Sequence, residues 1–159
     1  MILIADSSAL IALAICDVLP FLVALYSEVR VPEAVYQEVI RPGKPQSEKL
    51  EAYLRDKVVA VRPNQFILMP YEVGVGEQEA MLLFRQLQAQ VLLTDDLKAR
   101  KVAQFNRIPV IGSLGILLKL KDEGHLPAIQ PLIVALKRSG LFYSEALIQT
   151  ILEAAGEAE

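Results

Sequence analysis

The chain has 159 residues, 53% of them hydrophobic and 22% charged, with a formal net charge of −3. This suits one globular domain with a filled core and excludes a disordered chain. The acidic balance offers no global basic field for nucleic acid, although a local basic patch can sit beside an acidic site. A single cysteine, Cys16, excludes an internal disulfide and a cysteine-built zinc site; in its apolar run it reads as a small buried hydrophobe. The N-terminus lacks a basic leader region, and Asp6 and Asp17 interrupt its apolar residues. The uncharged stretches are too short to span a membrane, so a soluble, cytoplasmic protein is expected.

Residues 2–5 are a short apolar run that reads as a buried parallel strand. Residues 8–26 read as helix, broken between Asp17 and Pro20. Residues 29–31, Val-Arg-Val, are a second short strand. Pro32, at a first helical position, opens a helix that Arg41-Pro42-Gly43 stops. Residues 47–56 read as an amphipathic helix with Leu50 and Leu54 on one face. Residues 58–61 are a strand, and residues 62–75, with two prolines, a loop. Residues 76–88 form a helix with Ala80, Leu83, Phe84 and Leu87 on one stripe. Residues 91–94 are a buried strand that runs into Asp95-Asp96. A helix over 97–105, a strand over 108–112 and a helix from Ser113 follow, with Gly124 past the helix end. Two more helices occupy 127–139 and 143–155, with Gly140 between them. Strands and helices alternate, which predicts an α/β protein with a parallel sheet covered on both faces. With no long linker and no internal repeat, residues 1–159 read as a single domain, the helices of 127–155 packed on it or extending it.

Acidic residues gather where such a sheet would place a site. Asp6 follows the first strand, and Asp95 and Asp96 follow the strand at 91–94. Parallel strands share one carboxyl edge, where ligands of open α/β sheets bind, so these acids converge there. Glu77 and Glu79 lie in the first turn of the helix leading into that strand, and Glu38 near the end of the helix after Pro32. Several carboxylates in one cleft favour a hard divalent ion, Mg²⁺ or Mn²⁺, which can support phosphodiester cleavage. Each acid also has a simpler structural account. Asp6, Ser7 or Ser8 can start a helix, Glu77 and Glu79 can complement a helix dipole, and Glu38 alone reads as a surface glutamate. One of Asp95 and Asp96 can cap the next helix. Residues two apart on a helix do not face each other, so Glu77 and Glu79 reach one site only if Glu77 lies at or before the first turn.

The segments IADSSALIAL, VPEAVYQEVI, GEQEAMLL, LLTDDLKARKVA and IPVIGSLGILLKLKDEGHLP come in the order seen in PIN-domain ribonucleases. They resemble especially the compact prokaryotic branch with VapC-like toxins, and the C-terminal LIVALKRSGLFYSEALIQTILEAAGE resembles the tail of an uncharacterised PIN subgroup. The resemblance covers nearly the whole chain. It implies a three-layer α/β/α fold with a parallel, usually five-stranded sheet, and Mg²⁺- or Mn²⁺-dependent endonucleolytic cleavage of single-stranded RNA. Carried over by motif, Asp6 is the first catalytic acid, with Ser8 as the nearby polar residue. Glu38 is the second acid, Glu77 or Glu79 the third, and Asp95 or Asp96 the fourth. The implied metal ligands come from Asp6, Glu77, Glu79, Asp95 and Asp96. Many relatives carry aspartate where this chain offers Glu77 and Glu79. The TxD spelling of many relatives favours Asp96, whereas the subgroup's spelling favours Asp95. A toxin role further implies a small antitoxin partner and a homodimer.

Substrate grip falls to local positive charge. Lys98, Arg100 and Lys101 follow the acid pair and can meet RNA phosphates or form a solvated helix face. Gly112 to Gly115 offer backbone N–H groups at a helix start, for a phosphate or simply as a turn. The only histidine, His125, lies in a helix-end turn. A haloacid-dehalogenase-type phosphatase needs a second aspartate where Ser8 stands, and no P-loop or dinucleotide fingerprint is present. The competing expectation is a catalytically inactive PIN-fold module that binds RNA or protein.

Overall fold

Strand β1 (Ile2–Ala5) is the axis of the fold, and its side chains alternate between two cores. Leu3 and Ala5 join one apolar cluster, Ile4 the other. A computed structural model describes residues 1–158. Around β1 lie β2 (Glu28–Pro32), β3 (Val58–Val59), β4 (Val91–Leu93) and β5 (Val110–Ile111). The order across the sheet is β3-β2-β1-β4-β5, and every neighbouring pair is parallel. Strands buried on both faces need apolar residues at nearly every position, which is why β1 and β4 read as unbroken apolar runs.

The helices are α1 (Ser7–Ile15), α2 (Leu22–Leu25), α3 (Glu33–Val39), α4 (Ser47–Leu54), α5 (Val75–Leu87), α6 (Leu97–Phe105), α7 (Ser113–Asp122), α8 (Gln130–Arg138) and α9 (Glu145–Ala154). Helices α5 and α6 cover the Ile4 and Leu92 face with Met81, Leu83, Phe84 and Val102. Most of the others cover the opposite face, with Leu10, Leu13, Leu50, Leu54, Ile116 and Leu120 fully buried. The product is the parallel sheet covered on both faces that the sequence predicts, with the three layers and five strands that the resemblance implies. Cys16 is buried, as expected.

Differences from the predicted elements have local causes. The break in the 8–26 helix comes at Asp17, whose φ of 56° is left-handed; a 3₁₀ turn (Leu19–Phe21) with Pro20 then redirects the chain into α2. The helical stretches before and after the break meet at 108°. Pro32 is the residue before α3 and not its first; it pairs with Val59 as the last residue of β2. Strands β3 and β5 are only two residues long, because they lie at the sheet's edges, where one side lacks a partner. Asn106 ties down the long segment before α5. Its Oδ1 accepts from Leu68 N–H at 2.7 Å, and its Nδ2 donates to Leu68 O at 2.7 Å and Val102 O at 2.8 Å.

The two C-terminal helices pack on the body, α8 against α1 and α9 against α7. Glu157 clasps them: it pairs with Lys121 at 2.8 Å and accepts from the N–H groups of Ile129 at 2.9 Å and Gln130 at 3.0 Å at the start of α8. Among the described residues, no single helix is long and apolar enough to cross a membrane.

Candidate active site

The chain order around the sheet reverses at β1. From β1 the chain steps to β2 and β3 on one side, then returns to build β4 and β5 on the other. The crevice at such a reversal is where open α/β sheets bind ligands. Register places Ala5 beside Leu93, so the next residues, Asp6 and Thr94, stand side by side at the mouth of that crevice. The Asp6 N–H donates to Leu93 O at 2.9 Å and extends the ladder by one residue.

Asp6 is only 2% exposed. Its Oδ1 accepts from the Ser7 N–H at 2.5 Å, so it caps α1, and its Oδ2 accepts from the Thr94 hydroxyl at 2.5 Å. Burial foremost, with the charges of Glu77 and then Glu38, raises this carboxyl from 3.8 to about 7, against the Thr94 and Ser7 hydrogen bonds. Asp6 thus caps α1 from a buried position. A cap alone would be content at a solvated helix end; this one is buried among like charges.

Glu38 reaches the same place from α3, where its Oε2 accepts from the Ser7 hydroxyl at 2.8 Å. Helix α5 comes close because Gly76 has no side chain: a Cβ there would stand 3.1 Å from Glu38 Oε2 and 3.4 Å from Val35 Cγ2. The structure gives the α5 glutamates different surroundings. Glu77, in the first turn, folds its carboxylate over Gly74 and raises the Asp6 carboxyl by its charge. Glu79 accepts instead from Ala34 N–H, at 3.4 Å, near the start of α3.

The Asp95–Asp96 pair also separates. Asp95 receives the Ser113 N–H at 2.7 Å on Oδ1 and the Ser113 hydroxyl at 2.6 Å on Oδ2, with the Tyr143 hydroxyl 3.3 Å away. It caps α7 across the sheet edge. The Ser113 N–H, offered by the sequence as a phosphate contact, is therefore already taken. Asp96 caps α6 by accepting from Ala99 N–H at 3.1 Å. Neighbouring carboxylates repel, and binding to two different helix N-termini eases that repulsion.

Both aspartates line a cleft of about 740 Å³ between the start of α6, β5 and the segment around Tyr143. Ser8 and Arg100 line it too. Arg100 lies over Gly112, where a Cβ would stand 3.1 Å from its Nη1. Lys98 is exposed and lies outside the cleft lining. His125 stacks on Phe21 past the far end of α7, with ring centroids 6.5 Å apart, away from the acids.

The sequence assigns four side chains of this arrangement no role as partners of the acids. Ser7 and Thr94 sit beside the acids in their motifs, and their hydroxyls could have been read as partners. Ser113 and Tyr143 carry no local mark, because only folding brings them to Asp95.

Among the described residues, no three Asp, Glu, His or Cys side chains gather tightly enough to form a ready-made metal cage. Mg²⁺ does not require one: it keeps several waters and takes one or two carboxylates. Asp6 and Glu77 suit that role. They are hard oxygen donors, and a cation between them would relieve the like-charge pressure on Asp6.

A parallel sheet of this order, covered by helices on both faces and carrying a buried acid at its reversal point, defines a three-layer α/β/α protein. A family model described as a PIN domain (DUF3368) matches residues 2–157, and the chain belongs to this PIN-domain family. PIN domains are generally nucleases and typically use divalent metals. No curated protein matches the chain.

Proposed function

We propose that this PIN domain is a Mg²⁺- or Mn²⁺-dependent endoribonuclease that hydrolyses phosphodiester bonds of single-stranded RNA. The observation that carries the reading is Asp6: a carboxyl buried at the reversal point of the sheet, raised to about 7 by burial and by Glu77 and Glu38. Stability alone gives no reason to bury a carboxylate among like charges, whereas a site awaiting a cation does.

In this reading Asp6 and Glu77 hold the ion, which when bound activates water and stabilises the leaving oxygen. Ser7 and Thr94 fix the orientation of Asp6, and Ser7 also holds Glu38 beside it. Asp96 faces the cleft through which RNA approaches. Glu79 and Asp95 serve indirectly, by tying α3 and α7 to the acidic edge. Arg100 and Ser8 meet the phosphates on either side of the cleaved bond. Hydrolysis exchanges one P–O bond for another, and no covalent enzyme intermediate is involved.

The resemblance to VapC-like toxins supports a finer proposal: a cytoplasmic toxin, homodimeric and held by a small antitoxin, whose single domain runs over residues 1–159 and uses its C-terminal helices as a wall of the site.

The test is incubation of the purified chain with unstructured RNA in Mn²⁺ and in EDTA, beside Asp6→Asn. Cleavage confined to metal and lost in Asp6→Asn is expected; RNA left intact in Mn²⁺ refutes the nuclease. Slow growth on expression, relieved by Asp6→Asn, is expected of a toxin, and harmless expression of an active nuclease refutes that role. A second reading, an inactive module that binds RNA or protein, draws on the helix-capping duties of Asp95, Asp96 and Glu79. RNA binding without cleavage would favour it.

A further inference from the structure

The cleft beside Asp95 and Asp96 has a mixed lining. Ser8, Asp96 and Arg100 are among its polar residues. Its apolar residues come largely from β5, α7 and the start of α9, with Leu114, Leu141 and Leu147 among them. Phe142 stands at its rim, 90% exposed, the most exposed of the large apolar side chains. Tyr143 holds this segment in place through its hydroxyl, 2.9 Å from Ser113 Oγ and 3.3 Å from Asp95 Oδ2. The rim aromatic is therefore tied, one residue away, to the acidic edge.

We propose that this cleft is a nucleobase subsite: it takes an unpaired base of the RNA next to the cleaved phosphodiester, with Phe142 stacking on its face. The proposal rests on the nuclease reading for its register, because the cleft shares Asp95 and Asp96 with the acidic edge. An unpaired base is flat and apolar on its faces and polar at its rim. It fits a cleft lined by an aromatic ring, aliphatic side chains, a hydroxyl and a guanidinium group. About 740 Å³ lies within the usual range of small-ligand clefts, roughly 300–1,000 Å³. Arg100 supplies the positive charge that the flanking phosphate needs, within a protein whose net charge is −3. A purely apolar partner would leave Arg100 and Asp96 facing it without compensation.

The chain contains no tryptophan, so Phe142→Trp introduces a single fluorescent reporter at an exposed position that folding does not depend on. In an Asp6→Asn background with Mg²⁺, the full chain is titrated with a uridine dodecamer, an adenosine dodecamer and an abasic ribose-phosphate chain of equal length. Base-bearing RNA is expected to quench emission by roughly half or more, and the abasic chain is not; Phe142→Ala is expected to weaken dodecamer binding, read by anisotropy, roughly tenfold. Equal quenching by the abasic chain, or none by any RNA, overturns the subsite. If the parent protein cleaves RNA while the reporter stays silent, the subsite falls and the nuclease stands; quenching without any cleavage does the reverse. An emission shift that grows with protein concentration alone shows a second copy filling the cleft, and also overturns the proposal.

Discussion

Replacing Asp6 with asparagine is expected to stabilise the metal-free protein at pH 8 even as it abolishes metal-dependent cleavage. Asparagine has the same shape: its oxygen can accept from the Ser7 N–H, and its amide can donate to Thr94 Oγ1. What it removes is a buried charge. The folded carboxyl sits at about 7 against 3.8 in a free chain, so the folded state holds its proton more tightly than the unfolded state does. The penalty is absent below about pH 4, grows as pH rises towards 7, and is complete above it. A shift of about three units at ~1.36 kcal/mol each sets an upper value of ~4 kcal/mol, and relaxation around the charge lowers it. Asp6→Asn should therefore gain roughly 2–4 kcal/mol at pH 8, or about 4–16 °C in Tm for a chain of this size, and nothing near pH 4. Urea unfolding followed by circular dichroism in EDTA at pH 4, 5.5 and 8 measures this directly. Adding Mg²⁺ at pH 8 should then stabilise the parent protein and leave Asp6→Asn unmoved. A variant no more stable than its parent at pH 8, or a difference that does not change with pH, would refute the reasoning.

Glu77→Gln removes the neighbouring charge that raises Asp6 more than Glu38 does, so the Asp6 titration seen by carboxyl NMR should move down, and Mg²⁺ affinity should fall at least ~10-fold. Glu79→Gln should leave the Asp6 titration in place and cost only ~0.3–1 kcal/mol at the start of α3. Asn106→Ala frees Leu68 and should cost roughly 1–3 kcal/mol in denaturant, with faster protease cutting within residues 62–75. Burial opposes ionisation of Glu157, but Lys121 and the Ile129 and Gln130 N–H groups outweigh it and hold the carboxyl below its usual 4.5. Its contribution is therefore present above pH 4.5 and lost as pH falls through the lower folded value. Glu157→Gln should lower Tm at pH 7, and the difference should shrink as pH falls below 4.5, measured by calorimetry.

The chain's elements were legible wherever an apolar pattern was strong. Leu50 and Leu54 are fully buried as their spacing implies, as are Ala80 and Leu83 on α5. The sequence predicts edge strands β3 and β5 longer than they are, because Val and Ile beyond a strand's last hydrogen bond look no different from those within it. The candidate site was legible as a set of acids at strand ends. Their sorting was not: Glu77 and Glu79 are two residues apart on one helix, and nothing local says that one faces Asp6 while the other caps α3.

What the sequence determines by itself is the alternation of apolar runs and helical stripes, hence a parallel α/β sheet with Asp6, Asp95 and Asp96 along its carboxyl edge. Those features are local, since period and capping chemistry act within a few residues. Tertiary structure alone decided which carboxylates share a field. Strand order put Asp6 beside Thr94, a missing Cβ at Gly76 let α5 close on Glu38, and Ser113 and Tyr143 claimed Asp95 from 18 and 48 residues away. Charge repulsion and hydrogen bonding act over ångströms in space, whatever the separation along the chain.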